Sequence, residues 1–402
     1  MNSGGARAAA RVWSPWRAVV GFGVISLSAD MVYEGARSVY GPLLASLGAS
    51  ALAVGAITGA GEAAALIFRV IFGPLADRTH RYWALTIAGY TLTVVCVPLL
   101  AVAPLLGGAG LAVATVLILA ERLGKAVRSP AKSALLADAA AHVGMGRGLG
   151  VHKALDQIGA FAGPLLVAGL IAWSGSISPG VLALAVPGGV ALVLLGVTRR
   201  RLPEPEAPAV AALPGTGRTR LPPRFLWFAV GTTLCTAGLV TFGLISFALV
   251  QRHLAPAAGA PLLYAAAMAA EALAALATGE VYDRLGPRVL LALPLLVAGV
   301  PALAFGGSLT LAVLGILLWG AATGVQDSTV KALVADLVAR ERRATAYGVF
   351  AALQGAGALV GGIAAGALYS HSLSWLVIAV GITQAVALGV LLPVVRRRPA
   401  PA

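Results

Sequence analysis

From about residue 18 to residue 394 the chain alternates long apolar stretches with short polar breaks. Nearly every apolar stretch reaches the roughly 20 residues an α-helix needs to cross a bilayer. Twelve can be placed: roughly 18–40, 50–72, 83–103, 108–128, 149–172 and 180–198, then 225–248, 260–279, 288–306, 309–328, 345–368 and 373–394. The pattern predicts an all-α polytopic membrane protein. Arg199 to Arg224, rich in Pro, Arg and Glu, reads as a solvent-exposed linker between residues 1–198 and residues 225–402. Pro164 and Pro301 fall inside spans, where neighbouring helices satisfy the carbonyls that proline releases.

Composition sharpens this picture. Apolar residues make up 59% of the 402 and charged residues 11%, well short of the roughly 25% a soluble domain carries. The 50 glycines suit helices that approach closely in lipid. A net charge of +14 would suggest nucleic acid in a soluble protein, but here the bases sit in short tracts between spans. Arg7, Arg11 and Arg17, Arg78 and Arg81, Lys132 and Arg147, the linker arginines, Arg284 and Arg288, Arg340, Arg342 and Arg343, and Arg396 to Arg398 all follow an even number of crossings. The opposite connections are nearly uncharged, Arg252 excepted. Both termini and the linker are therefore expected in the cytoplasm, with the chain in the cytoplasmic membrane. Met1 to Arg17 has no convincing cleavage site and leads into a run holding Asp30, Glu34 and Arg37, so it reads as a retained first helix. Cys96 and Cys235 lie in apolar runs and read as packing residues, and no Cys/His grouping has metal-ligand spacing. The chain holds neither a phosphate-binding loop nor a defensible nucleophile–base–acid set, so an enzyme, a cofactor and a bound metal are not expected.

Two internal repeats relate the halves. Gly73, Asp77, Arg78 and Arg81 form a charged turn between apolar runs, and Gly279, Asp283, Arg284 and Arg288 repeat it 206 residues later. A second block repeats at an offset of 198: Ala134 to Asp138 matches Ala332 to Asp336, and Gly159 and Gly163 match Gly357 and Gly361. With these features the chain resembles the major facilitator superfamily of secondary transporters over essentially its full length. That family shares a Gly-x-x-x-Asp-Arg-x-Gly-Arg-Arg/Lys turn after helix two. Here His80 stands at the glycine and Tyr82 at the final base; the second copy keeps Gly286 and has Pro287 in the first basic slot. The resemblance implies twelve helices in two pseudo-symmetric six-helix halves, and a gating role for the repeated turns. Arg122, between Glu121 and Leu123, resembles the helix-four arginine of proton-coupled exporters, although the glutamine–glycine portion of that motif is missing.

Charges inside spans need a cavity or a partner. Asp30, Glu34 and Arg37 share one face of the first helix. Either they line a path or they lock helices together. Glu62 and Glu271 sit mid-span in corresponding helices, each able to carry a proton, attract a cation or pair with a base. Asp30, Glu34, Glu62 and Arg122 are the proton-coupling candidates. Tyr33, Arg37, Asp156, Glu271, Trp319 and Gln326 are the cavity candidates. Lys125 and Arg128 either attract an anionic solute or, more plainly, snorkel to the interface. Gly159 with Gly163 and Gly357 with Gly361 read as close-packing faces. The expected activity is proton-coupled export of a small amphipathic compound by a single chain, the proton gradient supplying the energy. A nutrient or anion uniporter or symporter, and a non-transporting receptor or scaffold, are the alternatives.

Overall fold

The computed structural model describes residues 13–202, 221–330, 333–334, 337–338 and 342–396, and the regular elements among them are helices. In the first half α1 is Pro15–Arg37, and α2 is Ala51–Ile67 continued past Phe68 as Arg69–Thr79. Then follow α3 (Tyr82–Leu99), α4 (Gly110–Ala141), α5 (Met145–Ser174) and α6 (Ile177–Ala183 with Ala185–Arg201). The second half has α7 (Pro223–Gly238 with Phe242–Gln251), α8 (Gly259–Leu285) and α9 (Ala292–Ala304, preceded by the 3-10 turn Gly286–Leu291). It ends with α10 (Leu309–Val325, then one π turn Gln326–Val330), α11 (Arg343–His371) and α12 (Leu373–Arg396).

Eleven continuous stretches among the described residues are long and apolar enough to span a membrane. One of them, 82–141, has 60 residues and would reach about 90 Å if straight. It is two crossings, folded back through the 3-10 stretch Leu100–Ala109, where Gly107 takes φ 53° and ψ −129°. Gly89 then packs on Gly124, and Arg128 donates to Thr93, so α3 and α4 run side by side. Twelve crossings result. α4 runs thirteen residues beyond the span expected to end at 128, because hydropathy sees only the apolar part of a helix that continues past Lys132 and Asp138.

The charged turn also differs from its sequence reading. Gly73 to Thr79 is still helix, and the reversal is confined to His80 and Arg81. His80 holds φ 51°, the left-handed conformation that costs a side-chain-bearing residue about 1–2 kcal/mol and glycine nothing. This is why glycine suits that slot. In the second copy Gly286 has φ 65° and ψ −153°, a region only glycine enters readily.

Glycines set the helix pairs. A Cβ on Gly159 or Gly163 would stand 2.2 Å from the carbonyl oxygens of Leu27 or Met31, and one on Gly361 would stand 2.1 Å from that of Ala237. The repeated glycine pairs thus seat α5 on α1 and α11 on α7, the same contact in each half. Trp13 N–H reaches the Arg201 carbonyl, and Arg224 donates to the Val394 carbonyl, so the first and last described residues and the described linker ends share one face. The linker interior, 203–220, and the repeat residues Ala332 and Asp336 lie outside the described residues. Large apolar side chains such as Val116, Val186, Val193 and Leu273 are exposed on the bundle's outside, where lipid would cover them. Cys96 and Cys235 are free and buried.

At the face opposite the termini the halves touch. Gly41 of the short helix Tyr40–Ser46 abuts Gly243, Thr58 shares a 2.8 Å hydrogen bond with Thr241, and α2 meets α11 through Gly55, Gly59, Gly362 and Gly366. Arg252, the exceptional base of this face, donates to the Phe305 carbonyl at the end of α9. A Cβ on Gly55 would stand 2.2 Å from the Gly362 carbonyl oxygen. Gly55→Val should therefore disfavour closure of this face by about 1–3 kcal/mol, an overpacking cost. Paired-site distance measurements across α2 and α11 should lengthen; unchanged distances would refute the seal.

Candidate functional site

Below that seal a cavity of about 400 Å³ lies between the halves. Its inner end is lined by Glu34, Arg37, Thr241 and Trp319, and towards the termini-bearing face it passes Lys132 and Lys153. The Lys153 side chain is 64% exposed, so this is the open end. Expected residues Asp30, Tyr33, Glu34, Arg37, Glu62, Asp156, Glu271, Trp319 and Gln326 all line the cavity. Arg122 does not: it is 3% exposed and sits behind the wall.

Four of these groups form one chain of charges. Arg37 lies 2.7 Å from Glu62 and 3.6 Å from Glu34; Arg122 lies 3.4 Å from Glu62 and 3.4 Å from Glu121. Arg122 also donates to Tyr33, and Tyr40 donates to Glu121 at 3.4 Å. The network crosses to the second half where Tyr264 donates to Glu34 and the Arg37 guanidinium lies over the Tyr264 and Trp319 rings. Trp319 is held by its Nε1 donating to the Val240 carbonyl at 2.8 Å. Glu34 and Glu62 are thus ion-paired carboxylates.

Asp30 is different. Its carboxyl lies beside that of Asp156 on the neighbouring α5, and both line the cavity. Two ionised carboxylates side by side repel, which favours one proton shared between them unless a cation intervenes. Lys153 reaches Asp156 at 3.1 Å, while Lys132 donates to Ser26, which meets His152 at 3.1 Å. In the second half Gln326, Thr236 and Gln354 form an amide–hydroxyl cluster beside the π turn.

A profile described as Major Facilitator Superfamily matches residues 22–257 and 246–402. The chain belongs to the major facilitator superfamily. It is 51% identical over 394 residues to the uncharacterized protein Rv2265 of Mycobacterium tuberculosis, covering 96% of this chain and 95% of that one. It is 24% identical over 358 residues to the uncharacterized MFS-type transporter MJ1317 of Methanocaldococcus jannaschii, covering 87% and 88%. Among solved structures the nucleoside transporter NupG superposes with a TM-score of 0.71 at 14% identity, covering 95% of this chain and all of that one, which is likeness of fold.

The superfamily's repeated turns lie at the open face. Asp77, Arg78 and Arg81 are exposed, with Tyr82 Oη donating to Asp77 at 3.5 Å. A Cβ on Gly73 would meet open space, and one on Gly279 would come no nearer than 4.0 Å to Ser328. Arg284 pairs with Glu280 one turn earlier, and Arg288 is exposed. The Asp283 side chain lies outside the described residues. Lys125 and Arg128, read as snorkelling, turn inward instead. Lys125 Nζ lies 3.5 Å from the Tyr33 ring centroid, and Arg128 donates to Thr93 at 2.7 Å over the Tyr90 ring. Arg69 also lines the cavity and escaped the sequence reading. The available signal was a lone arginine inside an otherwise apolar run.

Proposed function

We propose that this superfamily member is a proton-coupled secondary transporter of the cytoplasmic membrane that exports a small polar solute. The observation that supports the coupling is the juxtaposition of the Asp30 and Asp156 carboxyl groups on the wall of the cavity between the halves, a pair suited to share one proton. Glu34 and Glu62 are tied to arginines and serve to hold α1, α2 and α4 together. Solute entering from the open face would meet the protonated pair. Proton release and solute binding would then favour different arrangements of the halves. The wall is rich in charged groups, which favours a polar solute over the amphipathic compound expected from sequence. Asp77 and its repeat are proposed to latch the open face when it closes.

Reconstituted vesicles with pH and voltage set independently test this. A proton gradient should drive solute against the proton flow, and a cysteine placed within 199–224 should be labelled only from the cytoplasmic face. Solute moving with protons would support the symport reading, which Lys125, a cavity base without a hydrogen-bond acceptor among the described residues, favours as an anion site. Flux indifferent to the gradient would reject coupling.

A further inference from the structure

The cavity's charges are divided between its two walls. The first half contributes six bases and four acids to the lining; the second half contributes two acids, Glu271 and Asp327, and no base among the described residues. The surplus is positive on one side and negative on the other. Across the two walls most charged groups are already tied, and three are not. Glu271 has no hydrogen bond or ion pair among the described residues. Lys125 has the Tyr33 ring but no acceptor. Arg69 buries its Nε without any partner. Such groups, half-buried in the cavity wall, are better satisfied once something of opposite charge meets them.

We infer that the solute is a zwitterion, its ammonium group taken by Glu271 on the second-half wall and its carboxylate by Lys125 and Arg69 on the first-half wall. A neutral solute leaves both walls uncompensated, an anion leaves Glu271, and a cation leaves Lys125 and Arg69. Only a solute bearing both signs, set apart along its length, answers both. The cavity of about 400 Å³ falls within the usual size for small-molecule sites, so the solute is of amino-acid to small-peptide size. Because the two walls belong to different halves, a zwitterion also bridges them, and its binding draws the halves together across the open end. A singly charged solute engages one half alone and gives no such pull. The inference rests on the reading of the chain as a transporter, not on its coupling to protons.

The test uses the full-length protein and a series of ω-amino acids, from glycine through 4-aminobutyric to 6-aminohexanoic acid, each beside its N-acetyl derivative and its amide. Thermal stabilisation in detergent reads binding, and counterflow in vesicles without a pH gradient reads transport. At least one zwitterion should bind tenfold or more tightly than either of its singly charged derivatives. Glu271→Gln should bring that zwitterion within about twofold of its N-acetyl form, and Lys125→Gln should bring it within about twofold of its amide. Retained affinity for the derivative that avoids the altered wall shows that each variant is folded, and either variant suffices. The inference is overturned if no zwitterion in the series binds, if a singly charged derivative binds as tightly, or if both variants keep the preference. Zwitterion counterflow that persists without a gradient, alongside flux that ignores pH, would sink the coupling and leave this inference standing.

Discussion

Asp30→Asn and Asp156→Asn should each cut pH-driven solute flux at least tenfold while leaving exchange of solute for solute in place. In the proposed mechanism the pair shares one proton because two ionised carboxyl groups side by side repel. An amide in either position supplies a permanent donor, so the contact survives but no longer needs, or releases, a proton. Proton movement should therefore uncouple from solute movement without loss of the fold. Lys132 and Lys153 remain beside the pair, so some change in solute affinity is expected, but of lesser size. Glu34→Gln and Glu62→Gln should behave otherwise. Each removes the partner of a guanidinium in the buried network, so folded yield and exchange should fall together. Proton and solute fluxes measured separately in the same vesicles distinguish the two outcomes. Wild-type coupling in both Asp variants would rule the pair out and turn attention to Glu271.

Arg122→Leu should be the most destabilising single change in the first half, at about 3–5 kcal/mol, the usual cost of stripping a buried charge of its partner. Arg122 reaches Glu62, Glu121 and Tyr33 at once, and Glu121 has no exposed surface at all. One Glu121 carboxylate oxygen already lacks a hydrogen-bond partner, so loss of the guanidinium leaves that group with only Tyr40. The double variant Arg122→Leu, Glu121→Gln should recover most of the loss, because both members of the buried pair are then uncharged. Thermal unfolding in detergent reads this directly. A single variant as stable as the parent would mean that the network is not structural, and would return Arg122 to the coupling role implied by its resemblance to the exporter motif.

Hydropathy alone determined that the chain crosses the membrane twelve times, because a backbone in lipid must satisfy its own hydrogen bonds and only helices of about 20 apolar residues do so within one segment. The repeated glycines were equally legible. Gly159 with Gly163 and Gly357 with Gly361 mark surfaces where no side chain fits, and each pair does seat one helix against another. Partners were another matter. Spacing along α1 points Arg37 at Glu34, yet its shorter contact, 2.7 Å, is with Glu62 on a different helix. Tyr264 finds Glu34 from 230 positions away, and Asp156 meets Asp30 across 126. Lys125 and Arg128 sit at a depth where snorkelling outward and turning inward read alike, and only the Tyr33 and Tyr90 rings facing them decide the direction. Local sequence sets the period of a helix and therefore which residues share a face. Which face meets which, and so whether an embedded acid meets an arginine or another acid, depends on how distant helices pack, and that was decided by the tertiary structure alone.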